Sequence, residues 1–385
     1  MRIVIAPDSF KESLSAIGVA RAIAQGVREV MPAADIVCVP MADGGEGSLD
    51  TLLAACSGER RHAEVYNANM QRNPADWAWL DNAGAFIEIA TAAGLAQIPS
   101  HSRSALTATS YGVGQLIKQA LDAGARHITL GLGGSACTDG GAGMLQALGA
   151  KLFDAGGFAL PPGGAALIYL ARIALDGLDP RLADTTFEIA VDVDNPLCGP
   201  SGAAAVFGPQ KGATPREVDQ LDTALAHFAR ICGAVTGKDE QQTPGVGAAG
   251  GIGFGAKTFF NAIFRPGVEL LAELSRLPQV LADADLVFTG EGRMDAQTLH
   301  GKTPAGVARH AQALGLPVIA IAGSLGEGYE ALYKIGITAA FSLTPGPVSL
   351  AQACDDAAHY LRQRAGDCMR VWLAGQAYSS RARQS

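Results

Sequence analysis

The sequence predicts an α/β protein with two α/β domains. One is a doubly wound parallel-sheet domain built from both termini, and the second is inserted into it. Three observations carry this. Short runs rich in Val and Ile alternate with segments whose apolar residues recur every three or four positions, the pattern of buried parallel strands joined by helices. The two ends of the chain read alike, strand then helix then strand then helix. The 385 residues exceed what a single hydrophobic core usually holds. The expected division is 1–60 plus 280–385 for the discontinuous domain and 61–279 for the inserted one.

The strands expected in order are Ile3–Ala6, Ile36–Pro40, Phe86–Ile89, Ile128–Leu132, Phe187–Val193, Leu286–Thr289, Val318–Ala322 and Ala340–Leu343. The helices expected between and after them are Ile17–Val30, Val113–Leu121, Val218–Ile231, Ala305–Leu314 and Leu350–Arg364. Ser13 or Ser15 can cap the first helix, and Pro304 suits the first turn of another. The middle is less regular, with the Trp77–Trp79 region, the loop Pro161-Pro-Gly-Gly164 and the polar stretch Lys238–Pro244.

Composition narrows the function classes. Lys+Arg is 29 and Asp+Glu is 37, a net charge of -8, and no basic stripe appears, so a nucleic-acid partner is not expected. No apolar run approaches the length of a membrane span and the first residues are too short for a signal peptide, so no membrane partner is expected. Seven cysteines with no C-x-x-C pair, and histidines with no H-x-x-x-H pair, argue for reduced thiols and a cytoplasmic protein rather than a disulfide framework or zinc site. Cys137 and Cys198 read as packing residues, and His300 as structural.

The 48 glycines cluster at expected strand ends, where open parallel sheets bind ligands. Those tips carry Asp8, Ser9 and Lys11; Asp43-Gly-Gly-Glu46-Gly; Gly133-Gly-Ser135-Ala-Cys-Thr-Asp139-Gly-Gly; Asp192, Asp194 and Asn195; Gly290-Glu291-Gly-Arg293-Met-Asp295; and Gly323-Ser324. Turns use Gly, Asn and Asp but do not need Glu46, Lys11 or Arg293 beside them. Glycine loops let backbone amides approach phosphate, and a helix start after Ser135 favours anions. Lys11, Arg293 and Lys302 can neutralise phosphate or carboxylate. The carboxylates suit Mg²⁺ and one can take a hydroxyl proton. Together these are the parts of a phosphoryl-transfer site. Plainer readings stand beside each part: Lys11 and Lys302 could be solvated, and Asp139 could cap a helix starting near Gly140.

Nucleotide motifs leave the class open. Gly301-Lys302-Thr303 ends like a P-loop, but Ala296 stands where the first Gly belongs. Gly131-Leu-Gly-Gly-Ser-Ala136 matches a dinucleotide fingerprint, with Asp154 at a plausible distance for ribose. An NAD(P)-dependent dehydrogenase of a small hydroxy acid is therefore one alternative, and a non-enzymatic metabolite-binding protein is another.

Several blocks together resemble the class I glycerate 2-kinase family. They are Ala6-Pro-Asp-Ser-Phe-Lys-Glu-Ser-Leu-Ser-Ala16, Pro40-Met-Ala-Asp-Gly-Gly-Glu-Gly47, Gly131-Leu-Gly-Gly-Ser-Ala136 with Asp139-Gly-Gly-Ala-Gly143, Asp192-Val-Asp-Asn-Pro-Leu197, Phe207-Gly-Pro-Gln-Lys-Gly212, Gly247-Ala-Ala-Gly-Gly251, and Thr289-Gly-Glu-Gly-Arg293 with Asp295 and Gly301-Lys302. They run in order from residue 1 to about 310; no informative motif follows residue 345. The loop after Ser135 reads Ala-Cys-Thr-Asp where the family commonly has Ala-Thr-Asn-Asp, and Asn67–Arg72 lacks the usual glycine-containing turn. The resemblance implies ATP- and Mg²⁺-dependent phosphorylation of D-glycerate to 2-phosphoglycerate and ADP, on two α/β domains with the site in the cleft. On that reading Asp192 is the base and Lys11 and Arg293 hold the glycerate carboxylate or the transferring phosphoryl. Ser9, Asp43, Glu46 and Asn195 contact substrate. Gly133, Gly134, Ser135 and Asp139 meet the nucleotide, and Glu291 and Asp295 hold the metal.

Overall fold

The structure is a computed structural model in which residues 1–81, 83–299 and 301–382 are described; His300 lies outside the described residues. The chain separates into two compact units. A terminal unit comprises 1–43, 50–56 and 268–385, and a central unit comprises 44–49 and 57–267.

The terminal unit holds a five-stranded, all-parallel sheet. Its spatial order is Ala339–Ser342, Val318–Ala322, Leu286–Thr289, Arg2–Ile5, Asp35–Cys38. Each expected strand of this unit is present, within a residue or two at its ends. Side chains alternate between the two faces of a strand, so Ile3 and Ile5 enter one apolar cluster with Val19, Ile23 and Leu361, while Val4 enters another with Val268, Ala305 and Ala308. Both faces are thus covered by helices, as a parallel sheet requires. The helix Ala16–Val30 begins at Ser15, whose Oγ accepts the Gly18 amide at 3.2 Å. It packs on the helix Ala357–Ala382. The helix expected over Leu350–Arg364 is two, Leu350–Asp355 and the start of Ala357–Ala382. Pro304 lies in the first turn of Thr303–Ala313.

The central unit holds a mixed six-stranded sheet, ordered Ile263–Arg265, Thr186–Ala190, His127–Gly131, Gly84–Glu88, Arg72–Leu80, Gly58–Tyr66. The first four run parallel, with Glu88, Gly131 and Ala190 in one register line at their carboxyl ends. The last two form an antiparallel hairpin in the region around Trp77, where the sequence shows no regular pattern. Its outer strand Gly58–Tyr66 is largely exposed, so it carries charged residues and lacks the apolar run of a buried strand. The turn is closed by Asn67, whose Oδ1 accepts the amides of Asn69 and Gln71, each at 3.0 Å. Met70 takes a φ of 58° there, the left-handed backbone that a glycine would adopt without strain.

Candidate active site

In the terminal sheet the chain leaves the strand Arg2–Ile5 towards one edge, and the strands Leu286–Thr289, Val318–Ala322 and Ala339–Ser342 continue towards the other. Arg2–Ile5 and Leu286–Thr289 therefore flank a topological switch point, the place where such sheets open a ligand crevice. The two tips are tied together: the Asp8 amide donates to Gly290 O at 2.8 Å and Thr289 Oγ1 donates to Ala6 O at 2.8 Å. Gly290 packs so tightly that a Cβ there would lie 1.9 Å from Ile321 O. A cavity of about 510 Å³ opens at these tips, lined in part by Asp8, Ser9, Lys11, Asp43, Glu291, Arg293 and Lys302.

Two carboxylates in this cavity are perturbed. Asp8 Oδ2 accepts from Thr303 Oγ1 at 2.6 Å and Oδ1 from the Ser9 amide at 2.6 Å. Enclosure of its carboxyl, with the nearby negative charge of Asp43, pushes it up to about 6, against the Thr303 and Ser9 hydrogen bonds and the Lys11 charge. Glu291 is buried and accepts from Thr298 Oγ1 at 2.7 Å, with Lys302 Nζ 3.5 Å from its other oxygen. Burial raises it to about 7, Asp8 adding to the rise while Thr298 and Lys302 oppose it. Asp295 faces differently: Oδ2 meets Arg293 Nε at 3.1 Å and Oδ1 accepts the Gln297 amide at 2.9 Å. Arg293 itself is mostly solvent-exposed.

The central unit carries the other expected residues at the carboxyl ends of its strands. Buried Glu88 clamps the loop Gly44–Leu49, accepting the Gly47 amide at 3.1 Å and the Leu49 amide at 2.9 Å. Glu46 stands exposed on that loop. Gly133 lies where a Cβ would sit 2.3 Å from Gly45 Cα, and its amide donates to Gly44 O at 3.4 Å. Ser135 is buried, its Oγ accepting from Lys211 Nζ at 3.0 Å; the same ammonium donates to Cys137 O at 2.6 Å. Lys211 is 2% exposed, and burial lowers it to about 8 although Cys137 and Asp139 pull the other way. Gly134, with a φ of 71°, stays exposed.

Asp139 departs from its expected role. It is fully buried. Oδ2 accepts from Thr109 Oγ1, the Ser110 amide and hydroxyl, and the Gly143 amide, and Oδ1 accepts the Gly141 amide. A carboxylate saturated by five donors has nothing left for a nucleotide; it organises the start of the helix Ala142–Ala147, the capping alternative. For the same reason no anion-binding helix start follows Ser135, because those amides already bond Asp139. Asp154 accepts the Phe158 amide at 2.9 Å in a turn after Lys151–Phe153, which pairs antiparallel with Arg172–Ala174. The parallel strand that a ribose-binding acid would follow is absent there, which removes the dinucleotide reading.

Asp192 is exposed just beyond Thr186–Ala190, with Oδ1 accepting the Gly267 amide at 2.9 Å. Asn195 donates to Ser201 O at 2.8 Å.

The expected residues thus fall into two sets. Ser9, Lys11, Asp43, Glu291 and Arg293 line one cavity in the terminal unit, with Asp295 beside Arg293. Glu46, Gly133, Gly134, Ser135, Asp139, Asp192 and Asn195 belong to the central unit. The sequence reading gave no role to Asp8, Thr298, Thr303, Glu88 or Lys211. Asp8 carried the same signal as its neighbour Ser9. Nothing local marks Lys211 as buried, since a lysine between Gln210 and Gly212 reads as surface.

Comparison with known proteins gives one family across nearly the whole chain. Residues 3–373 match the model of the glycerate kinase family. A glycerate kinase of Halalkalibacterium halodurans is 48% identical over 364 residues, 94% of this chain and 96% of that protein. A glycerate 2-kinase of Escherichia coli K12 is 48% identical over 344 residues, 89% of this chain and 90% of that protein. A solved structure from Salmonella typhimurium LT2, described as glycerate kinase 2, superposes with a TM-score of 0.88 at 48% identity, covering 98% of this chain and 99% of that one. With a crevice at the switch point and these matches across nearly its full length, the chain belongs to the glycerate kinase family.

Proposed function

We propose that the protein phosphorylates the 2-hydroxyl of D-glycerate with ATP, giving 2-phospho-D-glycerate and ADP. The observation that carries this, beside the family, is the cavity at the switch point, where Asp8 and Glu291 stand among Lys11, Arg293 and Lys302. Enclosed carboxylates with cations around them suit the crowded negative charge of a transferring phosphoryl group and its metal.

Among the described residues no group of three or more His, Cys, Asp or Glu is arranged to cage a metal. Mg²⁺ that arrives with nucleotide phosphates needs only one or two protein carboxylates. Asp8 and Glu291 fit that demand, because Asp8 is held up by its enclosure and the Asp43 charge and itself raises the proton affinity of Glu291, and a divalent cation relieves that repulsion. Glu291 would hold the metal, with Asp8 as its partner. Asp295 Oδ2 lies 3.1 Å from Arg293 Nε and would orient that guanidinium. When bound, Mg²⁺ supplies charge neutralisation of the phosphate oxygens.

In the reaction the 2-hydroxyl oxygen forms the new bond to the γ-phosphorus while the bond from that phosphorus to the leaving ADP oxygen breaks. The hydroxyl proton passes to Asp192, held in orientation by the Gly267 amide. Lys11 and Arg293 bind the substrate carboxylate or the phosphoryl oxygens. Ser9, Asp43, Glu46 and Asn195 contact glycerate. Within the glycine loop the exposed Gly134 is the residue left to approach phosphate; Gly133 and Ser135 hold the loop in shape.

The test is ADP release with D-glycerate, Mg²⁺ and ATP, with phosphorus NMR of the product. The expected product carries phosphate on the 2-oxygen. Absence of turnover, or phosphate on the 3-oxygen alone, overturns the reading.

A further inference from the structure

The cavity at the terminal unit's switch point has two kinds of wall. One is charged and has been described. The other is apolar, and comes from a part of the chain that has no recognisable motif. It comprises Leu343, Leu350, Ala353, Cys354 and Ala357, with Phe10 at the junction. The helix Leu350–Asp355 is anchored against the loop that bears Lys11, because Ser13 Oγ donates to Cys354 O at 2.7 Å. Leu350 is 79% exposed, an apolar side chain left in solvent at the rim of a ligand site. Glycerate does not explain this wall. It has three carbons, each bearing oxygen, and would leave most of about 510 Å³ empty. A nucleoside triphosphate has the matching shape: one flat, weakly polar end and one polyanionic end. Ligand cavities of this size characteristically combine apolar walls with a few placed charges. Small residues at 353, 354 and 357 leave room for a planar ring.

We propose that this apolar wall seats the nucleoside half of the phosphoryl donor, whose phosphates run towards Lys11, Arg293 and Lys302. The proposal rests on the kinase reading and adds to it which segment recognises the donor.

Cys354 offers a probe that needs no turnover. It lines the cavity and is partly exposed, as Cys38 and Cys56 are elsewhere, while the other four cysteines are buried. The full-length protein is alkylated with iodoacetamide in the presence of ADP, adenosine, inorganic tripolyphosphate or D-glycerate, and each cysteine is followed by mass spectrometry. ADP and adenosine are expected to slow modification of Cys354 at least fivefold, leaving Cys38 and Cys56 unchanged. Protection by glycerate or tripolyphosphate without protection by adenosine would hand the wall to another ligand, and no protection at all would also overturn the proposal. As a second measurement, Ala353→Phe should raise KM for ATP about tenfold or more with KM for glycerate unchanged. A change confined to glycerate KM refutes the assignment. A wild-type protein that transfers nothing to glycerate refutes the kinase reading instead, and nucleotide protection at Cys354 is scored independently of it.

Discussion

Asp8 and Asp139 both lie in serine-bearing loops that follow a parallel strand, yet they end in opposite states. Asp139 receives five hydrogen bonds and is sealed. Asp8 faces a cavity with another carboxylate nearby. What separates them is the supply of donors, not residue type. Removing the negative charge of Asp43 should lower the proton affinity of Asp8, since that charge helps raise it. Asp43→Asn is therefore expected to move the acid limb of the kcat/KM profile to lower pH; an unmoved or upward-shifted limb would disconnect Asp8 from the rate. Asp192→Asn should reduce kcat by roughly 10²–10⁴ if Asp192 takes the hydroxyl proton, and near-normal turnover removes it from that role. Lys211 makes a stability prediction. Its folded-state value of about 8 lies below the ordinary 10.5, so between these values the unfolded chain binds more protons. The stability contributed by Lys211 is present at high pH and lost as pH falls through about 8. Denaturation of wild type against Lys211→Met should thus show wild type gaining on the variant from pH 7 to pH 10.5, by roughly 1–3 kcal/mol. A difference that is flat with pH would show that the ammonium is not penalised in the fold.

At the scale of elements, the structure rests on close approaches that only particular residues allow. The helices Ala16–Val30 and Ala357–Ala382 meet at Gly26, where a Cβ would lie 2.0 Å from Arg362 O. Gly26→Ala should destabilise the protein by about 1–3 kcal/mol, read as a lowered Tm, whereas in an exposed helix interior the same change is stabilising. A raised Tm would mean the helices separate freely. Sequence patterns located the helix Ala16–Val30 and all eight expected strands, because burial on one or both faces imposes a period on the residues, but merged Leu350–Asp355 with the start of Ala357–Ala382. They did not locate the outer hairpin strand Gly58–Tyr66, whose solvated edge imposes none. Nor did they show that Leu350–Asp355 forms a wall of the cavity, because that role depends on where the helix lands and not on its composition.

At the scale of the molecule, each unit has its own apolar core, one in the central unit and two flanking the terminal sheet. A ligand that binds only the folded terminal unit should stabilise it by mass action. ADP with Mg²⁺ at about 100 times Kd is worth about 2.7 kcal/mol, visible as an upward shift of a calorimetric transition. An unshifted transition at saturating ADP would count against nucleotide binding there.

The amino-acid order by itself determined the α/β class, the positions of the buried parallel strands other than Ile263–Arg265 and the loops that bear chemistry, since periodicity and strand-tip residues are local properties of the chain. Which tips meet was decided only by tertiary structure. Arg2–Ile5 lies beside Leu286–Thr289 because of the order in which strands join the sheet, and that adjacency makes neighbours of Asp8 and Glu291. Burial then follows from packing, and burial is what sets Lys211, Asp139 and Glu291 apart from surface residues of the same types.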